Sequence, residues 1–234
     1  MAQRCDARVR VLSVAAGDIE RETLGGPLHR QELEAVRAHL AEVAAQASAA
    51  GVACETSVVR GASVHDRILE EGERFRADLV IVGRRGRGSL ARMMVGDATL
   101  KLIGGARCGV LVVPRAAEIH GRRILVASDG STFGDAAATT AGNLARLCGT
   151  PVTVVSVAVP SHSEARRREV PGIAGRTVAF LRKDGIDAEG EVLEGPAAEA
   201  MVAAAARKSA DLIIMGSHGR TGLARLLLGS NCEQ

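Results

Sequence analysis

The pattern that decides the fold lies in residues 210–230, which read ADLIIMGSHGRTGLARLLLGS. The short apolar run Leu212–Met215 predicts a buried parallel strand. Gly216-Ser217-His218-Gly219 follows it directly, and nine residues separate Gly219 from Gly229-Ser230. Glycines just past a strand let backbone N–H groups approach an anion, and a Gly-Ser pair that opens a helix adds N–H groups and a hydroxyl. The stretch therefore predicts a phosphate-binding loop, with a simple strand-to-loop turn as the alternative.

The glycine spacing differs from that of two common nucleotide-binding loops. A P-loop would need a Gly-Lys-Ser/Thr sequence after its first glycine, and none is present at that spacing. In the dinucleotide fingerprint the glycines stand much closer together than they do here. The pattern Gly-x2-Gly-x9-Gly-Ser therefore indicates a different kind of phosphate cradle.

The composition is that of a globular protein with an aliphatic core. The 234 residues are 47% hydrophobic and 24% charged, and they include no Trp, no Tyr and three Phe. This scarcity of aromatic side chains argues against a protein that stacks on single-stranded nucleic acid. The net charge of +3 is small, and the arginine runs at 84–87 and 166–168 are interpreted as solvated faces. We therefore predict no nucleic-acid partner.

The cysteines and the amino terminus indicate a cellular location. The cysteines are odd in number, scattered and without a CxxC pair, which argues for reduced thiols rather than disulfides or a zinc site. The amino terminus has no apolar signal segment, and no stretch approaches the roughly 18 apolar residues of a membrane span. The sequence therefore predicts a soluble cytoplasmic protein with no membrane partner. The cysteines are Cys5, Cys54, Cys108, Cys148 and Cys232.

The chain contains an internal repeat. Residues 77–97, ADLVIVGRRGRGSLARMMVGD, align without a gap with residues 210–230 and are identical at 11 of 21 positions. Strand-like and helix-like segments alternate through both copies, which predicts parallel, doubly wound sheets. We therefore predict two α/β domains, at residues 1–115 and 123–234, joined by a linker at 116–122.

The second copy places two loops where such sheets bind ligands. Its first strand, from Arg123, ends at Asp129-Gly130, and its fourth strand ends at Gly216. Parallel sheets of this class bind ligands beyond the carboxyl ends of the strands, so both loops are candidate site elements. The remaining expectations are a helix at about 135–148, a strand at 151–159, a helix that begins after Pro171, and a helix at 196–209 with Pro196 in its first turn.

These motifs together resemble those of the universal stress protein family in its tandem-domain form. The resemblance rests on DLIIMGSHGRTGLARLLLGS and on the preceding strand ILVASDGS, and it covers nearly the whole chain. It implies two Rossmann-like domains of the adenine nucleotide α-hydrolase type, with five parallel strands in the order 3-2-1-4-5. It also implies that ATP is the ligand where the glycine motif is present, and that the protein forms a homo-oligomer or a pseudo-dimer of its two domains.

The resemblance also implies roles for particular residues. Asp129 would lie near the adenine and ribose or near a magnesium ion, with a simple turn-forming Asp as the alternative. Val157 would line the adenine pocket. Gly216, His218 and Gly219 would surround the ribose and phosphates, although His218 is equally explained as a solvent-facing turn residue. The other residues that the resemblance assigns to nucleotide binding are Ala127, Met215, Gly229 and Ser230.

Three departures from the family pattern concern the completeness of the two domains. The first copy has Asp97 where a phosphate-binding Ser or Thr is expected, so we predict no nucleotide site there. The first copy also lacks a first strand and helix, and the second ends four residues after Ser230, without a terminal helix and strand. One explanation is that residues 123–148 serve the first copy by circular permutation. The other is that the chain is truncated.

The sequence favours a regulatory function over catalysis. It shows no recognisable catalytic triad, HExxH motif or paired carboxylates, and any ATP hydrolysis would be slow. We therefore expect an ATP-binding stress-response protein, not an enzyme, that acts on an unidentified client protein. The alternatives are an interaction module of the same fold without a nucleotide, and an ATP-cleaving enzyme, for which Ser128-Asp129-Gly130-Ser131 is a poor match to the required pyrophosphate loop.

Overall fold

The computed structural model describes residues 2, 6–15, 27–83, 97–114, 117 and 120–218, with the backbone alone at 27–30. The described residues up to 114 belong to one compact unit, and those from 117 onward belong to a second. We call them unit 1 and unit 2. None of the described helices is both long and apolar enough to cross a membrane.

Unit 1 contains two pairs of parallel strands. Strand β1 pairs with β2 and strand β3 pairs with β4, and no pairing joins the two sets within the described residues. The elements are β1 Val9–Ala15, α1 Pro27–Ala49, β2 Cys54–Arg60, α2 Val64–Phe75, β3 Leu79–Gly83, α3 Asp97–Gly105 and β4 Gly109–Val113.

Unit 2 contains one parallel sheet of four described strands in the order β7-β6-β5-β8. Its elements are β5 Ile124–Ala127, α4 Thr132–Cys148, β6 Val152–Ala158, α5 Glu164–Lys183, β7 Ala188–Glu194, α6 Ala197–Arg207 and β8 Leu212–Met215. The predicted α/β fold with parallel sheets is thereby confirmed. Because β5 hydrogen-bonds to β6 and β8, residues 124–127 serve the second unit, and the circular-permutation hypothesis is wrong.

The core of unit 2 consists of two aliphatic layers, one on each face of the sheet. Helices α4 and α5 cover the face that carries Ile124 and Val126, whereas α6 covers the face that carries Leu125 and Ala127. All four residues of β5 are buried. No aromatic side chain is buried in the part of the chain that the structure describes, which agrees with the aliphatic core expected from composition.

Small residues let the helices approach the sheet and each other closely. A Cβ at Gly190 of β7 would lie 2.9 Å from Val178 Cγ2 on α5. A Cβ at Gly142 of α4 would lie 3.1 Å from Leu181 Cδ2, also on α5. Packing at this density leaves no room for a methyl group without a shift of the neighbour.

Two helix starts differ from the prediction. Helix α5 begins at Glu164 rather than after Pro171, and Ser163 Oγ accepts a hydrogen bond from the backbone N–H of Arg166 as its N-cap. Pro171 therefore lies inside the helix and costs it one backbone hydrogen bond. Burial of the flanking Val170 and Ile173 outweighs that loss. Pro196 is the N-cap of α6 and not a residue of its first turn.

Asp211 ties the segment before β5 to the start of β8. Its Oδ2 accepts hydrogen bonds from the backbone N–H groups of His120 and of Arg122, the latter at 3.3 Å. Burial by itself would raise the pKa of Asp211, but the backbone donors outweigh it and hold the pKa below the ordinary 3.8. The ionised carboxylate therefore stabilises the folded state.

We expect Asp211→Ala to lower the free energy of unfolding by about 1–2 kcal/mol at pH 7, because two backbone donors lose their acceptor. A folded-state pKa below 3.8 means that this stabilisation is present above pH 3.8 and is lost as the pH falls through the folded-state value. Urea unfolding of the wild type and the variant at pH 7 and near pH 3 measures the loss of stability and its dependence on pH. Asp184→Ala is the control, since the 3.0 Å pair of Asp184 with Arg146 is half-exposed and contributes about 0–1 kcal/mol. An equal cost at both pH values would contradict this assignment.

Candidate functional site

The carboxyl end of β5 lies at the centre of the candidate site. In the sheet register Ala127 stands between Val155 on β6 and Met215 on β8. Three of the residues predicted to bind a nucleotide, Ala127, Asp129 and Val157, line one recess at this end of the sheet. Met215 lies on the opposite side of β5, and Gly216 and His218 follow it. The fold therefore brings the six described candidates to the same edge.

The recess has an apolar wall and a small number of polar groups. Its apolar residues come from the end of β5, from β6 and its continuation, from α5 and from α6. Its polar groups come from the turn after β5, from β6, from the segment between β6 and α5, and from the first turn of α5. This composition is typical of small-molecule sites, in which few polar groups fix the orientation of a ligand. The lining residues are Ala127, Ser128, Asp129, Val155, Ser156, Val157, Val159, His162, Arg166, Val170, Ile173, Ala197 and Met201.

Buried hydroxyls hold the turn that follows β5. Ser156 Oγ on β6 donates a 2.8 Å hydrogen bond to the carbonyl of Ser128. Thr177 Oγ1 on α5 lies 3.3 Å from Ser128 Oγ and 3.1 Å from the carbonyl of Ile173. All three hydroxyl residues are buried. Since each contact is made by a neighbouring element, the position of the turn is set by the packing of β6 and α5.

Asp129 has a structural role in this turn. Its Oδ1 accepts a 3.0 Å hydrogen bond from the backbone N–H of Ser131, and Ser131 Oγ caps α4 by accepting from the N–H of Gly134. Gly130 has a φ of +72°, which favours glycine. Asp129 therefore forms the turn, as the alternative interpretation expected. A contact of Asp129 with a nucleotide or with magnesium stays a prediction. The described residues contain no group of three or more metal-ligating side chains.

The glycine after β8 packs against the first turn of α4. A Cβ at Gly216 would lie 2.7 Å from Phe133 Cβ and 2.9 Å from the carbonyl oxygen of His218. The exposed ring of His218 lies beside the ring of Phe133, with 5.1 Å between their centroids. The sequence did not indicate Phe133, because its contact with this loop joins elements that are distant in the chain.

Several predicted positions lie outside the described residues or in unit 1. Gly219, Gly229 and Ser230 fall outside the described residues. Asp97, the counterpart of Ser230 in the first copy, is the first residue of α3, where its carboxylate lies 2.9 Å from Lys101 Nζ. The expected carboxylate is therefore present at the start of that helix, and the absence of a nucleotide site in unit 1 stays a prediction.

The lining includes a histidine and an arginine that the sequence analysis did not assign to the site. His162 and Arg166 enter the recess from the segment that joins β6 to α5 and from the first turns of α5. Burial and then the nearby Arg166 charge lower the pKa of His162 below 6.5, so its imidazole is neutral at pH 7. The interpretation of the 166–168 run as a solvated face holds for Arg167 and Arg168, which are exposed, but not for the half-buried Arg166. The sequence signal that could have assigned His162 and Arg166 to the site was their position beyond the carboxyl end of β6.

We expect Gly216→Ala to lower the free energy of unfolding by about 1–3 kcal/mol, because the added methyl group overlaps the backbone of α4 and of its own loop. Gly175→Ala is the matched control. A Cβ at the exposed helical Gly175 would meet nothing within 4 Å, so the change should be neutral or stabilise by up to about 1 kcal/mol. Urea unfolding of both variants checks the difference, and equal stabilities would show that the loop does not pack as described.

Comparison with known proteins gives one family. The model of the universal stress protein family matches residues 1–114 and 121–234. A universal stress protein of Mycobacterium tuberculosis is 31% identical in an alignment 173 residues long that covers 66% of this chain and 56% of that protein. A universal stress protein of Methanocaldococcus jannaschii is 32% identical in an alignment 126 residues long that covers 48% of this chain and 74% of that protein. The chain thus spans about half the length of the mycobacterial relative.

A solved structure agrees with the fold. The crystal structure of a universal stress protein from Archaeoglobus fulgidus superposes with a TM-score of 0.75. The alignment covers 97% of this chain and 81% of that one, at 20% sequence identity. At this identity the likeness concerns the fold alone.

Proposed function

The chain belongs to the universal stress protein family, and we propose that unit 2 binds ATP at the carboxyl edge of its sheet. The observation that carries this proposal is the convergence of Ala127, Asp129 and Val157 on one recess, with Met215 and Gly216 on the other side of β5. In open parallel sheets this edge is the usual place for ligands.

The chemistry of the edge suits an adenine nucleotide. The apolar wall that includes Val157 and Met201 offers a surface for a base. The half-buried carboxylate of Asp129 lines the recess and would contact a ribose or a hydrated magnesium ion. The glycine loop after β8 would receive the phosphates, as the spacing to Gly229-Ser230 predicts. Magnesium would therefore act through the nucleotide, with Asp129 as an indirect contact.

We propose a regulatory role for this site and not a catalytic one. The described lining residues include no nucleophile paired with a base, and among the described residues His162 Nδ1 has no hydrogen-bond partner that would orient the ring as a general base. A bound nucleotide would then act as a signal to a client protein in a cytoplasmic stress response. Slow ATP hydrolysis is compatible with this role. Assembly into a homo-oligomer or a pseudo-dimer belongs to the same proposal.

One set of contacts favours a second candidate, an interaction module that binds no nucleotide. Asp129 and Gly216 both have structural tasks, the first in the Ser131 turn and the second against Phe133. Their presence is therefore explained without a ligand. An ATP-cleaving enzyme has less support, because the sequence of the Ser128–Ser131 turn is a poor match to the pyrophosphate loop that such an enzyme requires.

Isothermal titration with ATP and magnesium separates these candidates. We expect one ATP per chain, and we expect Ser230→Asp to abolish binding because it introduces the carboxylate that the first copy has at this position. The matched control is Asp97→Ser, which gives the first copy the hydroxyl of the second and should leave one site per chain.

Two other outcomes of this titration would favour the alternative functions. A folded wild-type protein that binds no ATP would contradict the proposal and favour the interaction module. Stoichiometric pyrophosphate release in the same samples would favour the enzyme.

A further inference from the structure

His162 places a buried, unpartnered nitrogen at the recess. Its Nδ1 is inaccessible to solvent and has no hydrogen-bond partner among the residues that the structure describes. The residue lies just after β6 and is held there by a 3.0 Å hydrogen bond from its backbone N–H to the carbonyl of Val159. His162, Val157 and Val159 all line the same recess.

Such a nitrogen carries a cost in the ligand-free protein. A buried polar atom without a partner loses its hydrogen bonds to water and gains none in return. Folded proteins rarely contain such atoms, so each one calls for an explanation, such as a water, an ion or a functional role. No described side chain of the recess completes the hydrogen bonding of His162 Nδ1. A rotation of the imidazole into the recess would therefore present this nitrogen to a ligand group.

The protonation state of the His162 imidazole indicates which ligand groups it can bind. Burial and the neighbouring Arg166 keep the imidazole neutral at pH 7. A neutral imidazole offers one N–H donor and one lone pair, and it carries no charge that would attract a phosphate. The edge of adenine offers matching groups, because N7 is an acceptor and the N6 amino group is a donor.

We infer that His162 reads the base of the bound nucleotide through a hydrogen bond from or to its Nδ1. This inference rests on the proposed ATP site and adds a specificity-determining residue to it. His162 then selects among nucleotides by their bases, whereas the glycine loop after β8 holds the phosphates that all of them share.

The test compares the wild-type protein with His162→Leu and His162→Asn by titration with ATP and with CTP. Leucine removes the nitrogen, so we expect ATP binding to weaken by roughly tenfold and CTP binding to change much less. Asparagine places its amide near the position of Nδ1, so it should restore most of the affinity for ATP. His39→Asn, at an exposed histidine of α1, is the control and should leave both affinities unchanged.

Thermal unfolding without nucleotide gives a second readout. Because His162→Leu removes an unpartnered buried nitrogen, we expect its Tm to equal or exceed that of the wild type. A stable variant that has lost its preference for ATP over CTP is the predicted result.

The experiment distinguishes a failure of base reading by His162 from a failure of the proposed ATP site. If the wild type binds ATP and His162→Leu binds it equally well, or loses ATP and CTP by the same factor, base reading by His162 is overturned and the proposed site stands. If the folded wild type binds neither nucleotide, the proposed function itself fails and the inference falls with it.

Discussion

The hydrogen bonding of β5 along both of its edges is the constraint on which unit 2 depends. This strand has only four residues, yet all four are buried and pair with β6 on one side and β8 on the other. A buried parallel strand must satisfy its backbone groups in this way, since water cannot reach them. The carboxyl end of β5 is thereby fixed between Val155 and Met215, and the candidate site begins at that point.

The same packing that stabilises the sheet also shapes the site. Ser156 and Thr177 hold Ser128 from β6 and α5, so the turn that carries Asp129 cannot move independently of the core. Gly216 is constrained in a similar way by the first turn of α4. Rigid elements therefore position the side chains, and a ligand would meet a largely preformed edge.

The sequence predicts those features that depend on local pattern. The bounds of β8 agree with the prediction, because an apolar run between Asp211 and Gly216 defines the strand. The start of α5 was wrong, since contacts of Val170 and Ile173 with the rest of unit 2 overcame the local effect of Pro171. Phe133 could not be assigned to the site beforehand, because its contact with the loop after β8 joins segments that are far apart in the chain. For His162 the available signal was its position beyond the carboxyl end of β6.

Hydrogen exchange with and without ATP and magnesium tests the central claim most directly, because it reports on each strand end separately. Binding at the carboxyl edge of unit 2 predicts slower exchange in segments 127–131, 155–162 and 215–218. It predicts no change at 79–83 and 109–113 in unit 1. Protection confined to the unit 1 segments, or no protection at saturating ATP, would contradict the account.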